Sequence, residues 1–341
     1  MFKLIKNEWY KNFFRIRNYV SLLFILVFSI ITVLLPTFFS SQYTTGSYNK
    51  DNWKEEVQGE IATLEKKFSE AETKHESKLQ SDPESMEVMI LESEKNEITE
   101  EINRLNYHLE QNIIPVSNNN LYDNLLSVTQ MTGLITVLIT VVAVSLIADE
   151  FSSGTIKLLL IRSVSRVNIL LSKLITMLLY ILFYTASAIL FTFVISLLVS
   201  DVNASSSYVF SKGIHNFMHE NFYVLFAQNI LTQFFSIMMV SLIAFSLTVV
   251  FVSKSVTLPL TLAIYFMATP MTLFLNEYTD LTKYLWFANW DLRQFMLPFK
   301  TTQGPLIEGM TLTSSLVTNM IYCIPLLLFT FYFFQRKEIY N

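Results

Sequence analysis

Asp149–Arg166 reads DEFSSGTIKLLLIRSVSR, a short polar-then-amphipathic break between two long apolar runs. Val128–Ala148 before it has no charged residue, and after it the chain carries Lys173 and then stays uncharged from Leu174 to Ser200. Each run exceeds the roughly 20 residues that a helix needs to cross a bilayer. Lys157, Arg162 and Arg166 put the break on the cytoplasmic side, because basic residues are retained there. Ile156 and Leu158–Ile161 are too few to span and fit a short helix laid on the membrane or offered to a partner. Ser152, Ser153 and Gly154 suit the turn that starts it, and Ser165 can cap the following helix.

Working outward, the whole chain has the composition of an integral membrane protein. Of 341 residues, 52% are hydrophobic and 15% charged, against roughly 25% charged in soluble domains; mean hydropathy is +0.42. A net charge of −4 gives no reason to expect nucleic acid, and a single cysteine, Cys323, excludes a disulfide framework within one chain. Span-length apolar runs predict six transmembrane helices: 19–39, about 125–148, about 167–200, one within 222–252, about 256–275 and about 312–334. Six spans place both termini on one side. The predicted inner segments hold twelve Lys/Arg and four Asp/Glu, and the outer segments twelve and twenty-four. That asymmetry puts both termini in the cytoplasm of a multi-pass plasma-membrane protein.

Three non-spanning segments stand out. Residues 1–18 carry Phe2, Ile5, Trp9, Phe13 and Ile16 at helical spacing with Lys3, Lys6, Lys11, Arg15 and Arg17 around them, the pattern of an amphipathic interfacial helix. Residues 40–124 are acidic: from Lys50 to Glu110 there are eight Lys/Arg and seventeen Asp/Glu. Trp53, Val57, Ile61, Leu64, Phe68, Ala71 and Leu79 form one stripe, and Met86, Ile90, Ile98, Ile102, Leu105, Leu109 and Ile113 a second. Met89 and Leu91 make the second stripe ragged. Ser81-Asp82-Pro83 marks a turn between them. Two amphipathic helices should therefore zip into an antiparallel hairpin, an extracellular arm or a solvated spacer. Residues 276–311 hold Tyr284, Trp286, Phe287, Trp290, Phe295 and Phe299, which predicts short helices at the outer surface, with Asp291 and Arg293 facing water. Asp201–Asn221 reads as a polar outer loop. His215 and His219, spaced i, i+4, are a weak candidate metal pair with no third ligand.

The fold class expected is thus an all-α integral membrane protein with six transmembrane helices and an extracellular antiparallel helical hairpin between the first two. Gln228, Asn229 and Gln233 lie in the outer half of the fourth span. Polar groups in hydrocarbon need partners, so they line a translocation path or bond a neighbouring helix.

The Glu150, Gly154-Thr155, Leu158–Ile161, Arg162, Ser165-Arg166 series, placed after a second span, resembles the permease subunits of ABC transporters of the ABC-2 type. The resemblance covers the hydropathy layout of most of the chain. It implies that residues 149–166 form a cytoplasmic coupling helix docking on a separate ATPase subunit, with Glu150, Gly154, Thr155, Lys157, Leu158, Arg162 and Arg166 at the contact. It further implies an elbow helix at 1–18, re-entrant helices within 276–311, and a second permease copy or similar subunit to enclose a path through membrane lipid. ATP and Mg would then bind the partner subunit, leaving this chain without cofactor or metal, and the substrate would be a hydrophobic or amphipathic peptide, lipid or drug-like molecule, exported. Consistent with that, the chain has no GxxxxGK[ST], no HExxH and no GxSxG, and is not expected to be an enzyme. No carboxylate–base pair is expected at depth in the spans. Glu150, near the negative end of the second span, should have a basic partner: Lys157, Arg162 or a residue of the ATPase. The competing reading is a membrane receptor whose external hairpin binds a ligand.

Overall fold

The computed structural model describes residues 1–39, 48, 51–81, 86–115, 120–155, 165–200, 207–211, 217–296 and 305–337. Helix α1 is Phe2–Phe13 and α2 is Ile16–Phe39. Next come α3 (Trp53–Ser81) and α4 (Met86–Gln111). Helix α5 (Leu121–Ser127) runs through a 3-10 turn, Val128–Met131, into α6 (Thr132–Ser152). Helix α7 is Arg166–Val199, followed by strands β1 (Ser207–Ser211) and β2 (Phe217–Asn221). The rest comprises α8 (Phe222–Phe251), α9 (Lys254–Asn276), the four-residue α10 (Trp286–Asn289) and α11 (Leu312–Arg336). Six helices are long and apolar enough to cross a membrane: Ile16–Leu35, Leu121–Ser152, Arg166–Val199, Phe222–Phe251, Lys254–Asn276 and Leu312–Arg336. The chain divides into two compact units, one of Met1–Leu34, Asn124–Ile195 and Ala227–Asn341, the other of Leu35–Asp123 and Ser196–Phe226.

In the first unit α6 and α8 are central, with 72% and 61% of their most apolar windows buried. Ile135, Ile139, Ala143 and Leu146 of α6 meet Ile237, Phe245 and Val249 of α8 and Met177 and Tyr184 of α7. Leu182, Phe266 and Leu328 point outward and are more than half exposed, as lipid-facing side chains must be. Between helices in lipid there is little hydrophobic drive, so close packing by small residues takes over. Thr132, Thr136 and Thr140 recur on the buried face of α6, each hydroxyl donating to a carbonyl three or four residues back. That spends the polar group inside the helix and leaves a smooth surface for neighbours.

Contacts gather several helix ends of this unit at one pole. Lys337, just past α11, donates to the Val249 and Val250 carbonyls at the end of α8 (2.6 and 2.8 Å), satisfying orphan acceptors at a negative terminus. Arg166 at the start of α7 donates to the Gln335 and Lys337 carbonyls. Val252 turns the chain from α8 to α9 with φ 57°, a conformation unfavourable for a β-branched residue.

Towards the other pole, Asp280–Tyr284, α10 and Leu292–Phe295 form three short helical pieces. They are packed rather than laid out as an aromatic belt. Asn289 is buried, its amide donating to the Lys283 and Leu285 carbonyls while its Oδ1 accepts from Ser315. Asp291 and Arg293 do not face water as expected. Arg293 donates to both Asp291 oxygens and to the Thr129 carbonyl, 2.7 Å away. The carbonyls freed where α5 gives way to the 3-10 turn need donors, and Arg293 supplies one.

The second unit departs from an all-α fold: β1 and β2 pair antiparallel, Ser207 opposite Asn221 and Ser211 opposite Phe217. The expected polar loop thus contains a strand pair, whose alternation over five residues each was too short to read. Helices α3 and α4 run antiparallel, with Lys78 bonded to Glu87 (2.7 Å) and Lys95 to Glu72 (3.6 Å). Their core holds Trp53, Val57, Ile61, Leu64 and Ala71 against Ile98 and Leu105. Near its start α4 is rotated from the expected stripe. Val88 is buried at 5% exposure, while Met86, Met89 and Ile90 are 79%, 69% and 59% exposed. Val88 is ten residues before Ile98, close to three helical turns, and so keeps to one face. Val88→Asp should therefore destabilise this unit by about 2–4 kcal/mol through an unpaired buried charge, and Met89→Asp by less than about 0.5 kcal/mol. Urea unfolding followed by helical circular dichroism separates the two; equal losses would mean that the α3–α4 register is wrong.

Candidate functional site

The break that organises the sequence begins on α6, whose last turn carries Asp149 and Glu150. A carboxylate there faces the negative end of the helix dipole and needs cations. Glu150, with only 2% of its side chain exposed, has two: Lys11 of α1 at 2.9 Å from Oε1 and Lys173 of α7 at 2.6 Å from Oε2. Lys173 is itself 1% exposed and reaches Glu8 of α1 (3.2 Å) and the Leu146 carbonyl (2.8 Å). Two carboxylates and two ammonium groups alternate, so the quartet is neutral, and each buried charge has an opposite charge beside it. Burial raises the Glu8 carboxyl above the usual carboxylate range, and Lys173 opposes that rise.

Asp149, next in sequence, faces another way and gathers three cations. Arg15 and Arg17 approach Oδ2, the latter at 3.3 Å, and Lys254 at the start of α9 meets Oδ1. Adjacent acidic residues thus tie α6 to α1, α2, α7 and α9. Helix α1 is also seated on α7 by aromatic contact: the Trp9 ring lies 4.6 Å from Tyr180 and 5.6 Å from Phe183. The buried face of α1 accordingly contains Glu8 and Asn12, whereas Phe2 and Ile16 of the expected apolar face are 78% and 81% exposed. The polar residues complete charges already buried on α6 and α7, while Trp9 and Phe13 of the expected stripe pack on Phe183.

Beyond Glu150 the chain leaves α6 through Ser153, whose hydroxyl donates to the Asp149 carbonyl (2.6 Å), and Gly154 at φ +70°. That is the left-handed residue that commonly ends a helix. An added Cβ on Gly154 would meet nothing within 4 Å, so the glycine is needed for its backbone angle and not for space. Thr155 Oγ1 lies 2.9 Å from Ser153 Oγ. Lys157, Leu158 and Arg162 lie outside the described residues. Arg166 is engaged with the end of α11, as given above. Among the described residues the basic partners of Glu150 are Lys11 and Lys173, which come from helices far away in sequence, while the expected Lys157 and Arg162 lie outside them. The Glu8–Lys173–Glu150 contacts lie at the ends of the span-length helices, not at depth within them.

Of the proposed path residues, Gln228 is exposed, while Asn229 and Gln233 are fully buried. Gln233 donates to the Val128 carbonyl (3.2 Å) where α5 breaks into the 3-10 turn, so it bonds a neighbouring helix. His219 pairs with the Tyr107 hydroxyl (2.9 Å), and His215 lies outside the described residues. No group of three metal-ligating side chains occurs among the described residues. In the second unit a cavity of about 100 Å³ is lined by Arg104, His108, Asn120, Asp123 and Tyr208. His108 donates its Nδ1–H to the Ile113 carbonyl (3.0 Å), and burial lowers its pKa to about 4.

The residues that sequence reasoning missed are Glu8, Lys11, Asp149, Lys173 and Lys254. One signal was visible: Lys173 is the lone charge inside an otherwise apolar run, and such a residue calls for a buried carboxylate.

Comparison with known proteins adds a family without an assigned role. A family profile described as "Protein of unknown function (DUF2705)" matches residues 87–340. The "Uncharacterized protein YhcI" of Bacillus subtilis (strain 168) is 32% identical over 350 residues, covering 100% of both chains. No solved structure matches.

Proposed function

We propose that this chain, which belongs to the family described as protein of unknown function DUF2705, is the permease subunit of an ABC-2-type transporter. In this reading it exports a hydrophobic or amphipathic substrate with energy from a separate ATPase. The observation that carries the reading is the pairing of Asp149 and Glu150 with cations of α1, α2, α7 and α9. An ATPase pressing on 149–166 would act on a lever already tied to four other helices. The chain itself has no phosphate-binding loop, so the motion must enter through such a surface. The resemblance supplies the remainder: ATP and Mg on the partner, two permeases around one path, both termini in the cytoplasm.

Purifying the tagged chain from its own membrane in mild detergent tests this. A co-purifying chain with a P-loop, and vanadate-sensitive ATP hydrolysis in the eluate, are expected. In the same cells, with Cys323 replaced by Ser, a cysteine at Ser77 should label from outside and one at Ser153 should not. Recovery of a sensor kinase and no ATPase would favour the receptor reading, to which the separate core of α3 and α4 lends support. Labelling of Ser153 alone would end the coupling assignment.

A further inference from the structure

Among the described residues, the convergence of three cations on Asp149 leaves a charge that is not balanced. Lys11, Glu150, Lys173 and Glu8 form a neutral quartet, so Lys11 is already spoken for. Arg15, Arg17 and Lys254 carry +3 against the single −1 of Asp149, an excess of +2. These groups line an open cavity of about 650 Å³, with the hydroxyls of Ser153 and Thr155 on its wall. A concave surface of one sign focuses its field and concentrates counter-ions. Two guanidinium groups offer forked donors that match a phosphate.

Neighbouring residues say where the phosphate comes from. Phe14, Ile16 and Tyr19 alternate with Arg15 and Arg17 and are 65%, 81% and 51% exposed. Apolar side chains interleaved with cations, where three span-length helices begin or end, suit a cavity at headgroup depth. Basic pockets between transmembrane helices take anionic headgroups in this way. We propose that the Arg15–Arg17–Lys254 cavity binds the phosphate of an anionic lipid headgroup, with the acyl chains beside Phe14 and Ile16. The lipid links the α1–α2 junction to the start of α9, and shares its cations with Asp149.

This proposal needs only the membrane spans and is independent of any ATPase, so its test contains no ATP. The full chain is reconstituted in nanodiscs of phosphatidylcholine alone or with phosphatidylglycerol added. Phosphatidylglycerol should raise the melting temperature by about 3 °C and remain bound in native mass spectrometry. Inorganic phosphate added to the phosphatidylcholine discs should do neither; an equal shift would overturn the lipid assignment in favour of a soluble anion. The R15Q/K254Q double variant should lose most of the bound lipid. Asp149→Asn should retain more of it than wild type, since the excess rises to +3. A purely structural ion cluster would leave retention in Asp149→Asn equal or lower, and that result would overturn the proposal even if R15Q/K254Q fails to fold.

Discussion

Lys173→Met is expected to destabilise the helical unit by about 3–5 kcal/mol, the cost of stripping a buried carboxylate of its cation. The argument rests on what the ammonium group does for its neighbours. Lys173 is two turns into α7, 1% exposed, and within ion-pair distance of both Glu8 and Glu150. Methionine fills a similar volume, so lost packing is minor. What remains is two carboxylates facing one another with only the half-exposed Lys11 between them. Like charges in a low-dielectric setting repel strongly, and a carboxylate that takes up a proton to escape this leaves its other partners short. Adding Glu150→Gln to Lys173→Met should recover more than half of the loss, because the second change removes the charge that the first one orphaned. Thermal unfolding in nanodiscs measures both. A Lys173→Met variant within about 0.5 kcal/mol of wild type would mean that Lys173 reaches water and that the quartet does not exist. Lys11→Met should cost much less, since its side chain is 41% exposed and water screens the pair.

The same quartet explains what could be read from the sequence and what could not. Six spans were legible because each is a run of one physical character longer than the bilayer is thick, and nothing local competes with that signal. The α3–α4 pair was legible for a similar reason, with period-3.6 stripes meeting a turn, although its first turns slipped: Met86 and Met89 are as apolar as Val88, and composition cannot say which of three neighbouring residues looks inward. The strands Ser207–Ser211 and Phe217–Asn221 were not legible, since five residues of mixed polarity fix no period. For the site, sequence identified Glu150 and the need for a cation, by the helix dipole. It looked for that cation at Lys157 or Arg162, or on the ATPase. The actual partners, Lys11 and Lys173, are separated from Glu150 by 139 residues and by the α6–α7 connection. Such pairings depend on which helices become neighbours, a property of packing in three dimensions that no local pattern encodes. Asp149 makes the point again: its neighbours in sequence gave no hint that α2 and α9 begin beside it.

Gly154→Leu is expected to abolish permease-dependent ATP hydrolysis by the co-purified ATPase, by tenfold or more, while the fold survives. Gly154 sits at φ +70° with open space around its Cα. A Cβ there meets nothing within 4 Å, so the first cost is that of holding an L-residue in left-handed backbone, about 1–2 kcal/mol. The chain can avoid that cost by letting the residue relax to negative φ, which redirects everything after α6. The folded core does not resist this, because Gly154 belongs to no buried cluster. The exit direction of the 149–166 stretch is therefore the thing lost, and with it the surface proposed to meet the ATPase. Asn tolerates left-handed backbone far better than other side chains, so Gly154→Asn should retain most of the activity while adding a polar side chain of comparable size. Melting temperatures of both variants should stay within a few degrees of wild type, in contrast to Lys173→Met. The comparison separates backbone direction from side-chain bulk. Equal loss in the Asn and Leu variants would point to bulk at the contact. Full activity in both, with the ATPase bound normally, would remove this turn from any coupling role.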